Sequence, residues 1–142
     1  MTSPPTIVVA ALITTEDGRI LLTRRPEGAV LAGRWEFPGG KIERGECPEA
    51  ALERECHEEL GCRIETGRIY EVLHGGGPKG DVLLLFYRAR IASGTPRSME
   101  GNALAWVTPA AMGDYDLLDA DRVLPPLFER DFPHFLPRVR PR

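Results

Sequence analysis

Three glutamates, Glu55, Glu58 and Glu59, have the spacing that brings carboxylates together on one side of a helix. Because residues three and four positions apart share a helix face, their side chains should project within a sector of about 100°. Like charges this close destabilise an isolated helix by roughly 0.2 to 0.5 kcal/mol per pair. A hard divalent cation such as Mg²⁺, which prefers oxygen ligands, would relieve that repulsion. The spacing therefore indicates a metal site; the alternative is a solvated acidic face with Arg54 and Lys41 as partial counterions.

The residues on either side of the glutamates favour the metal site. Residues 35–41 read WEFPGGK, and the pair Gly39 and Gly40 lets backbone groups approach a ligand closely. Pro48 suits the first helical position, and Gly61 suits a left-handed C-terminal cap. These signals predict one helix over residues 48–60, directly after the glycine turn.

These residues match the Nudix box: Gly, five residues, Glu, seven residues, Arg-Glu, an apolar residue, any residue, Glu-Glu, any residue, Gly, an apolar residue. The seven fixed positions are filled by Gly40, Glu46, Arg54, Glu55, Glu58, Glu59 and Gly61. Seven specified positions match by chance on the order of once in 10⁸ starts. Two apolar positions carry Cys56 and Cys62, which are small buried hydrophobes in most proteins. The chain is therefore identified as resembling the Nudix family.

The resemblance implies a set of metal ligands. They are Glu55, Glu58, Glu59 and the carbonyl oxygen of Gly39, holding Mg²⁺ with Mn²⁺ as a possible substitute. It also implies that Arg54 orients these carboxylates through charge-assisted hydrogen bonds, and that Gly40 and Glu46 support them.

Outside the box, the resemblance suggests further site residues. Glu100 has the position of a carboxylate that acts as ligand or general base in MutT-like members, where the base could equally be Glu55 or Glu59. Asp121 aligns with a residue that reads the nucleotide base, although its local sequence equally predicts a cap for the C-terminal helix. Phosphate contacts are expected from Arg24 or Arg25, of which alternation along a strand allows only one, and from Lys41. Phe37 is expected to contribute an apolar wall and backbone groups for the base.

Similarity to the MutT-like branch extends over residues 21–28 and 31–43, and over about residues 5–130 in all. It implies an α/β (α+β) Nudix fold, an α/β/α sandwich with a mixed central β-sheet. The implied activity is Mg²⁺-dependent cleavage of (deoxy)nucleoside triphosphates to monophosphate and pyrophosphate, including oxidised ones such as 8-oxo-dGTP, in nucleotide-pool sanitation and DNA repair. The alternatives are a hydrolase of ADP-ribose, nucleotide sugars or dinucleoside polyphosphates, and a non-catalytic nucleotide sensor.

Composition sets the remaining expectations. A chain of 142 residues with a net charge of −3 fits one domain and has no overall basicity for gripping nucleic acid. The apolar run over residues 7–13 is too short to span a membrane, and no signal sequence precedes it, so a cytoplasmic protein is expected. Nucleotide substrate is the expected partner, with no stable nucleic-acid or membrane binding, and the protein is a monomer or homodimer.

The remaining elements should carry these side chains on a sheet. Turn residues 16–18 separate two apolar runs and predict a β-hairpin. The other predicted strands are residues 63–73, 81–91 and 103–107, with a flexible connection over residues 75–80. A brief helix is expected at residues 109–112, and residues 119–130 should be helical in places, split or restarted at Pro125 and Pro126. The basic tail, about residues 133–142, is expected to be mobile.

Overall fold

The computed structural model describes residues 4–77 and 80–131. Within these ranges the chain forms a mixed α and β structure with two sheets. The strands are β1 (Thr6–Ile13), β2 (Ile20–Arg24), β3 (Trp35–Glu36), β4 (Gly39–Lys41), β5 (Arg63–Gly77), β6 (Gly80–Ser93) and β7 (Leu104–Val107). The α-helices are α1 (Pro48–Leu60) and α2 (Leu124–Asp131), and two 3-10 helices span Pro109–Asp114 and Asp119–Val123.

The larger sheet is mixed, as the sequence predicted. Its strand order is β4-β1-β6-β5, in which β1 runs parallel to β6 while β4 and β5 run antiparallel to their neighbours. The smaller sheet is antiparallel, with the order β3-β2-β7.

Alternate residues of β1 pack into two separate cores, because successive strand side chains point to opposite faces. Val9, Ala11 and Ile13 pack with the buried residues of α1. Ala10 and Leu12 pack instead with residues of α2 and of the 3-10 helix Pro109–Asp114. The sheet therefore lies between two helical layers, which is the layered arrangement expected from the sequence.

The predicted hairpin between β1 and β2 is wrong. The turn itself forms, with the Thr15 amide donating to the Arg19 carbonyl at 2.9 Å, but only the single bridge between Thr14 and Ile20 joins the two chain segments. Beyond that bridge β1 enters the larger sheet and β2 enters the smaller one. β1 pairs instead with β6 over its whole length, and β2 pairs with β3 and β7.

Helix α1 has the bounds that the sequence predicts. Pro48 occupies the first turn, and Gly61 ends the helix in the left-handed conformation, with φ of 64° and its amide donating to the His57 carbonyl. Cys47 occupies the N-cap without a side-chain hydrogen bond. Glu55, Glu58 and Glu59 therefore lie on one helix whose start and end are known, which fixes the direction of each side chain around the helix axis.

One other expectation needs correction, and one alternative left open by the sequence is decided. Gly75 and Gly76 continue β5 rather than forming a flexible connection, and the described part of β6 starts at Gly80. Pro125 and Pro126 lie in the first turn of α2, where a missing amide costs nothing, so they start this helix rather than split it. The expected mobile tail at residues 133–142 lies outside the described residues. Among the described helices, none combines the length and the apolar character needed to cross a membrane.

Candidate active site

Seven of the predicted site residues line a cleft of about 370 Å³, a volume suited to a small-molecule ligand: Arg25, Phe37, Gly39, Gly40, Glu59, Glu100 and Asp121. Both sheets line it. The polar lining comes from strand ends, α1, the loop before β7 and the 3-10 helix Asp119–Val123, and comprises Thr23, Arg25, Glu36, Glu59, Glu100, Asn102 and Asp121. The apolar lining includes Val8, Ala10, Phe37, Leu84, Phe86 and Leu118. Because the charges of Glu36, Glu59 and Glu100 act on one another, we call the part of the cleft that they line its acidic end, and the part lined by the apolar side chains its apolar end.

Arg54 ties α1 to the loop before it. Its guanidinium donates to both oxygens of Glu46, from Nε at 2.7 Å and from Nη2 at 2.9 Å, and Nη2 also donates to the Lys41 carbonyl at 3.3 Å. Nη1 donates to Glu55 at 3.1 Å and, more weakly, to Glu58 at 3.4 Å. The hydrogen bonds that Arg54 donates to Glu46 hold the pKa of Arg54 above its usual range. The structure thus brings Arg54 and Glu46 together, with the guanidinium fixed in a two-pronged pair.

Glu55 lies directly against the glycine turn. A Cβ atom built on Gly40 would stand 2.5 Å from the Glu55 carboxyl carbon and 2.6 to 2.7 Å from its oxygens, so only glycine leaves room for this carboxylate. Burial raises the pKa of Glu55, and the hydrogen bond from Arg54 acts in the opposite direction. The supporting role predicted for Gly40 therefore has a steric basis.

Glu59 points into the cleft and is the most strongly perturbed of the box glutamates. Burial raises its pKa to about 8, with further upward contributions from the charges of Glu55, Glu36 and Glu100. The Gly39 amide donates a hydrogen bond to Glu59 and lowers the pKa in part. A Cβ atom on Gly39 would meet the Val9 carbonyl oxygen at 2.0 Å, so the backbone here can approach β1 only as glycine.

The carboxylates are the type of ligand that magnesium prefers, but they do not converge on one point as a complete coordination shell would. Within residues 4–77 and 80–131, no three Asp, Glu, His or Cys side chains converge as a ready-made metal cage. Glu58 is 57% exposed and is held only by Arg54. All the predicted ligands are oxygen donors, and Glu55 and Glu59 lie close enough to repel each other. These residues fit a hard divalent cation, because it would offset the clustered negative charge.

Glu100 lies on the loop between β6 and β7 and lines the acidic end of the cleft. Its charge contributes to raising the pKa of both Glu36 and Glu59, which shows that the three carboxylates are close. The structure therefore brings Glu100 to the box glutamates, although about 40 residues separate them in the sequence.

Sequence reasoning missed Glu36. It accepts hydrogen bonds from Arg25 Nη1 at 3.1 and 3.2 Å, while burial raises its pKa. The available signal was a charged residue between two aromatic ones, Trp35 and Phe37, just before the glycine pair. A lone carboxylate in such surroundings needs a partner, and Arg25 supplies it.

The two candidate arginines separate as strand alternation requires. Arg25 lines the cleft, and its Nε donates to the Val30 carbonyl at 2.6 Å. Arg24 is exposed and is absent from the cleft lining, but it lines a neighbouring cavity together with Arg25 and Glu100. Lys41 is exposed, and its side chain is not part of the cleft lining. Arg25 is therefore the predicted phosphate residue that the fold directs at the cleft.

Phe37 and Asp121 also line the cleft. Phe37 is buried and packs edge-on against Phe86 and Phe128, with ring centroids 6.0 and 5.9 Å apart. Asp121 is only 6% exposed, lines the cleft, and forms no side-chain hydrogen bond or ion pair with the described residues, so it does not cap α2. Burial, with a smaller contribution from the charge of Glu36, raises the pKa of Asp121 to about 7. Glu36 is itself paired with Arg25.

Asp121→Asn should change the pH dependence of stability. Between its ordinary pKa of 3.8 and about 7, folded Asp121 keeps a proton that the unfolded chain releases, so the free energy of unfolding falls as pH rises through this interval. Asparagine has no such dependence. Relative to the native chain, the variant should therefore gain roughly 2 to 3 kcal/mol on going from pH 5 to pH 8. Urea unfolding at the two pH values measures the difference.

Asp119→Asn is the matched control for this comparison. Asp119 is exposed, and its pKa is lowered by the hydrogen bond from Arg34, so it is ionised throughout the interval from pH 5 to pH 8. Its substitution should shift stability equally at both pH values. An equal shift for Asp121→Asn as well would show that the buried carboxyl is not protonated in the folded protein.

Comparisons with known proteins agree with this geometry. The family model described as the NUDIX domain matches residues 4–129. Over 117 residues the chain is 39% identical to a putative 8-oxo-dGTP diphosphatase 2 of Mycobacterium tuberculosis, covering 82% of each chain. It is 39% identical over 116 residues to the CTP pyrophosphohydrolase of Escherichia coli, covering 81% of this chain and 85% of the relative. The crystal structure of a MutT protein from Methanosarcina mazei superposes with a TM-score of 0.80 at 28% identity, over 92% of this chain and 97% of that one.

Proposed function

The chain belongs to the Nudix family of hydrolases, and we propose that it is a Mg²⁺-dependent, MutT-like pyrophosphohydrolase. Its substrates in this proposal are (deoxy)nucleoside triphosphates, cleaved by water to the monophosphate and pyrophosphate. The relatives named for 8-oxo-dGTP and for CTP make an oxidised guanine nucleotide and a cytosine nucleotide the leading candidates.

The observation that carries this proposal is the composition of the cleft lining. Glu36, Glu59 and Glu100 line the cleft together with Arg25, and Phe37, Phe86 and Asp121 line it as well. A nucleoside triphosphate has the matching parts, a metal-binding polyphosphate and a flat base. The cleft volume of about 370 Å³ is of the right order for such a ligand.

At the acidic end, Glu55, Glu58, Glu59, Glu100 and the Gly39 carbonyl would hold the metal. Nudix hydrolases generally need a divalent metal, which when bound would neutralise phosphate charge and assist the attack of water. Arg54 would keep Glu55 and Glu58 oriented, and Glu46 would keep Arg54 fixed. Arg25 would bind phosphate oxygens through Nη2, the guanidinium nitrogen that does not donate to Glu36 or Val30.

One of three carboxylates would accept the proton of the attacking water: Glu55, Glu59 or Glu100. Burial raises the pKa of Glu55 and of Glu59, which suits a group that must hold a proton near neutral pH, and Glu100 lines the cleft beside Glu59. A pH profile of kcat identifies the general base among them. It is the residue whose Gln variant loses the fall in kcat at acidic pH while the metal still binds.

At the apolar end, Asp121 would select the base. As a protonated acid it donates one hydrogen bond and accepts another, whereas as a carboxylate it only accepts. Because its pKa is about 7, both forms are present near neutral pH, and the protein offers either pattern to a base edge. Phe37 and Phe86 would supply the apolar walls beside it.

A steady-state comparison of nucleotides tests the proposal. The panel contains 8-oxo-dGTP, dGTP, CTP and a 5-substituted dCTP, together with ADP-ribose, a nucleotide sugar and a dinucleoside polyphosphate. We expect at least one triphosphate to yield monophosphate and pyrophosphate with Mg²⁺ or Mn²⁺, and to exceed the non-triphosphates in kcat/KM. EDTA should abolish turnover.

Other outcomes would redirect the assignment. Turnover of ADP-ribose, the sugar or the dinucleotide without any triphosphate would overturn the MutT-like substrate class. Tight nucleotide binding with no hydrolysis over hours would instead indicate a sensor.

A further inference from the structure

The loop that carries Glu100 is fixed to α1 at its first half. The Arg97 amide donates to the Leu60 carbonyl at 2.9 Å, and the Met99 amide donates to the Glu59 carbonyl at 3.0 Å. Carbonyls in the last turn of a helix have no partner within the helix, so these two loop amides satisfy them. The backbone just before Glu100 therefore follows the end of the helix that carries the box glutamates.

The second half of the loop is fixed by Asn102. Its side-chain amide donates to the carbonyl of Arg24 at the end of β2, and its Oδ1 accepts a hydrogen bond from the Ser98 hydroxyl. The Arg24 amide in turn donates to the Ala103 carbonyl at 3.0 Å. Asn102 thus closes residues 98–102 on themselves and attaches them to the strand that leads into Arg25.

Glu100 needs such anchors because its surroundings repel it. Its charge acts on Glu36 and Glu59, and it has no ion pair of its own among the described residues. The next residue, Gly101, has φ of 77°, a conformation that gives the loop a sharp bend without fixing its direction. Glu100 is exposed, so without side-chain anchors the like charges would favour conformations in which it moves away from Glu36 and Glu59.

We propose that Asn102 is the positioning residue for Glu100, holding this carboxylate at the acidic end of the cleft against the repulsion of its neighbours. The inference rests on the proposed function, since it takes Glu100 to act in hydrolysis. In this proposal Asn102 affects hydrolysis by positioning Glu100, and it does not contact the nucleotide directly.

A double-mutant cycle tests the proposal with the full chain. Asn102→Ala should lower kcat at least tenfold and raise the Mg²⁺ concentration for half-maximal activity, with KM for the nucleotide changed less than threefold. In the Glu100→Gln background the same substitution should have no further effect on kcat, because its target is already absent. Asn102→Asp keeps the acceptor for Ser98 but loses the donor to Arg24, and should resemble the alanine variant.

Two variants calibrate the cycle. Ser98→Ala removes only the hydrogen bond from the Ser98 hydroxyl to Asn102. It should lower kcat in the same direction as Asn102→Ala but by a smaller factor, and it provides a test even if Asn102→Ala folds poorly. Thr95→Ala changes an exposed residue of the same loop with no side-chain hydrogen bond among the described residues, and should match the native enzyme. Multiplicative losses in the cycle, or a native kcat in Glu100→Gln, would overturn the proposal.

Hydrogen exchange separates this proposal from the assignment of activity. Asn102→Ala should speed the exchange of the Met99 amide at least tenfold, because the loop would leave α1 more often. An unchanged exchange rate would overturn the anchoring role, whatever the enzyme hydrolyses. A native chain that hydrolyses no nucleotide would overturn the proposed function, while faster exchange in the variant would still support the anchor.

Discussion

Glu58→Gln is expected to lower kcat for triphosphate hydrolysis by at least a hundredfold while leaving the thermal midpoint almost unchanged. Glu58 is 57% exposed, and its contacts with Arg54 are long, at 3.4 Å, so the folded chain loses little when its charge is removed. A metal ligand, in contrast, cannot be replaced by a neutral amide without loss of charge neutralisation. Single-turnover hydrolysis with saturating Mg²⁺ and a thermal melt provide the two measurements.

Glu53→Gln is the matched control, because Glu53 is an exposed glutamate of the same helix that does not line the cleft. Its substitution should leave kcat within about twofold, as surface changes away from a site usually do. Near-native activity in Glu58→Gln would remove this residue from the metal site. Equal losses in both variants would mean that helix charge, and not ligation, sets the rate.

Gly40→Ala is expected to cost at least a hundredfold in kcat with a modest loss of stability. The added methyl would stand 2.5 to 2.7 Å from the Glu55 carboxyl group, a distance that no pair of such atoms tolerates. The carboxylate is the end of a flexible side chain and can move away, so the strain is relieved by displacing Glu55 rather than by unfolding β4. Displacement of a proposed metal ligand by even 1 Å is sufficient for a loss of this size.

Two further variants define the cause. Gly113→Ala adds the same methyl where nothing lies within 4 Å, and should leave kcat unchanged. Glu55→Asp shortens the carboxylate and makes room, so Gly40→Ala should cost less in that background than in the native chain. If the two losses multiply instead, the methyl acts on the backbone and not on Glu55.

The box and its helix were predictable from sequence because their geometry is local. Glu55, Glu58 and Glu59 sit on a helix whose start and end are marked by Pro48 and Gly61, and the structure has the predicted bounds. A 3.6-residue period then fixes which side chains share a face, without knowledge of the rest of the chain. Alternation along a strand is equally local, and it predicted that only one of Arg24 and Arg25 would reach the cleft.

Glu36 and Asn102 could not be predicted in the same way, because their roles depend on contacts between distant segments. Asn102 matters through the carbonyl of Arg24, 78 residues away in sequence, and an asparagine in a polar loop carries no signal of such a partner. The hairpin prediction failed for a related reason. A turn at residues 16–18 is visible locally, but the choice between one sheet and two depends on β6, which comes far later in the chain.

The parallel pairing of β1 with β6 also determines when the cleft can come into existence during folding. Val9 faces Leu85 across this ladder, so the strand that backs the glycine turn joins only after a loop of more than 70 residues has closed. The β5 and β6 hairpin is local and needs no such closure. High sequence separation slows the later step, and Gly39 and Gly40 pair with Ala10 and Val9 only once β1 is in its place. We therefore expect the cleft to be completed late in folding, so that chains with most of their secondary structure already formed would still be inactive.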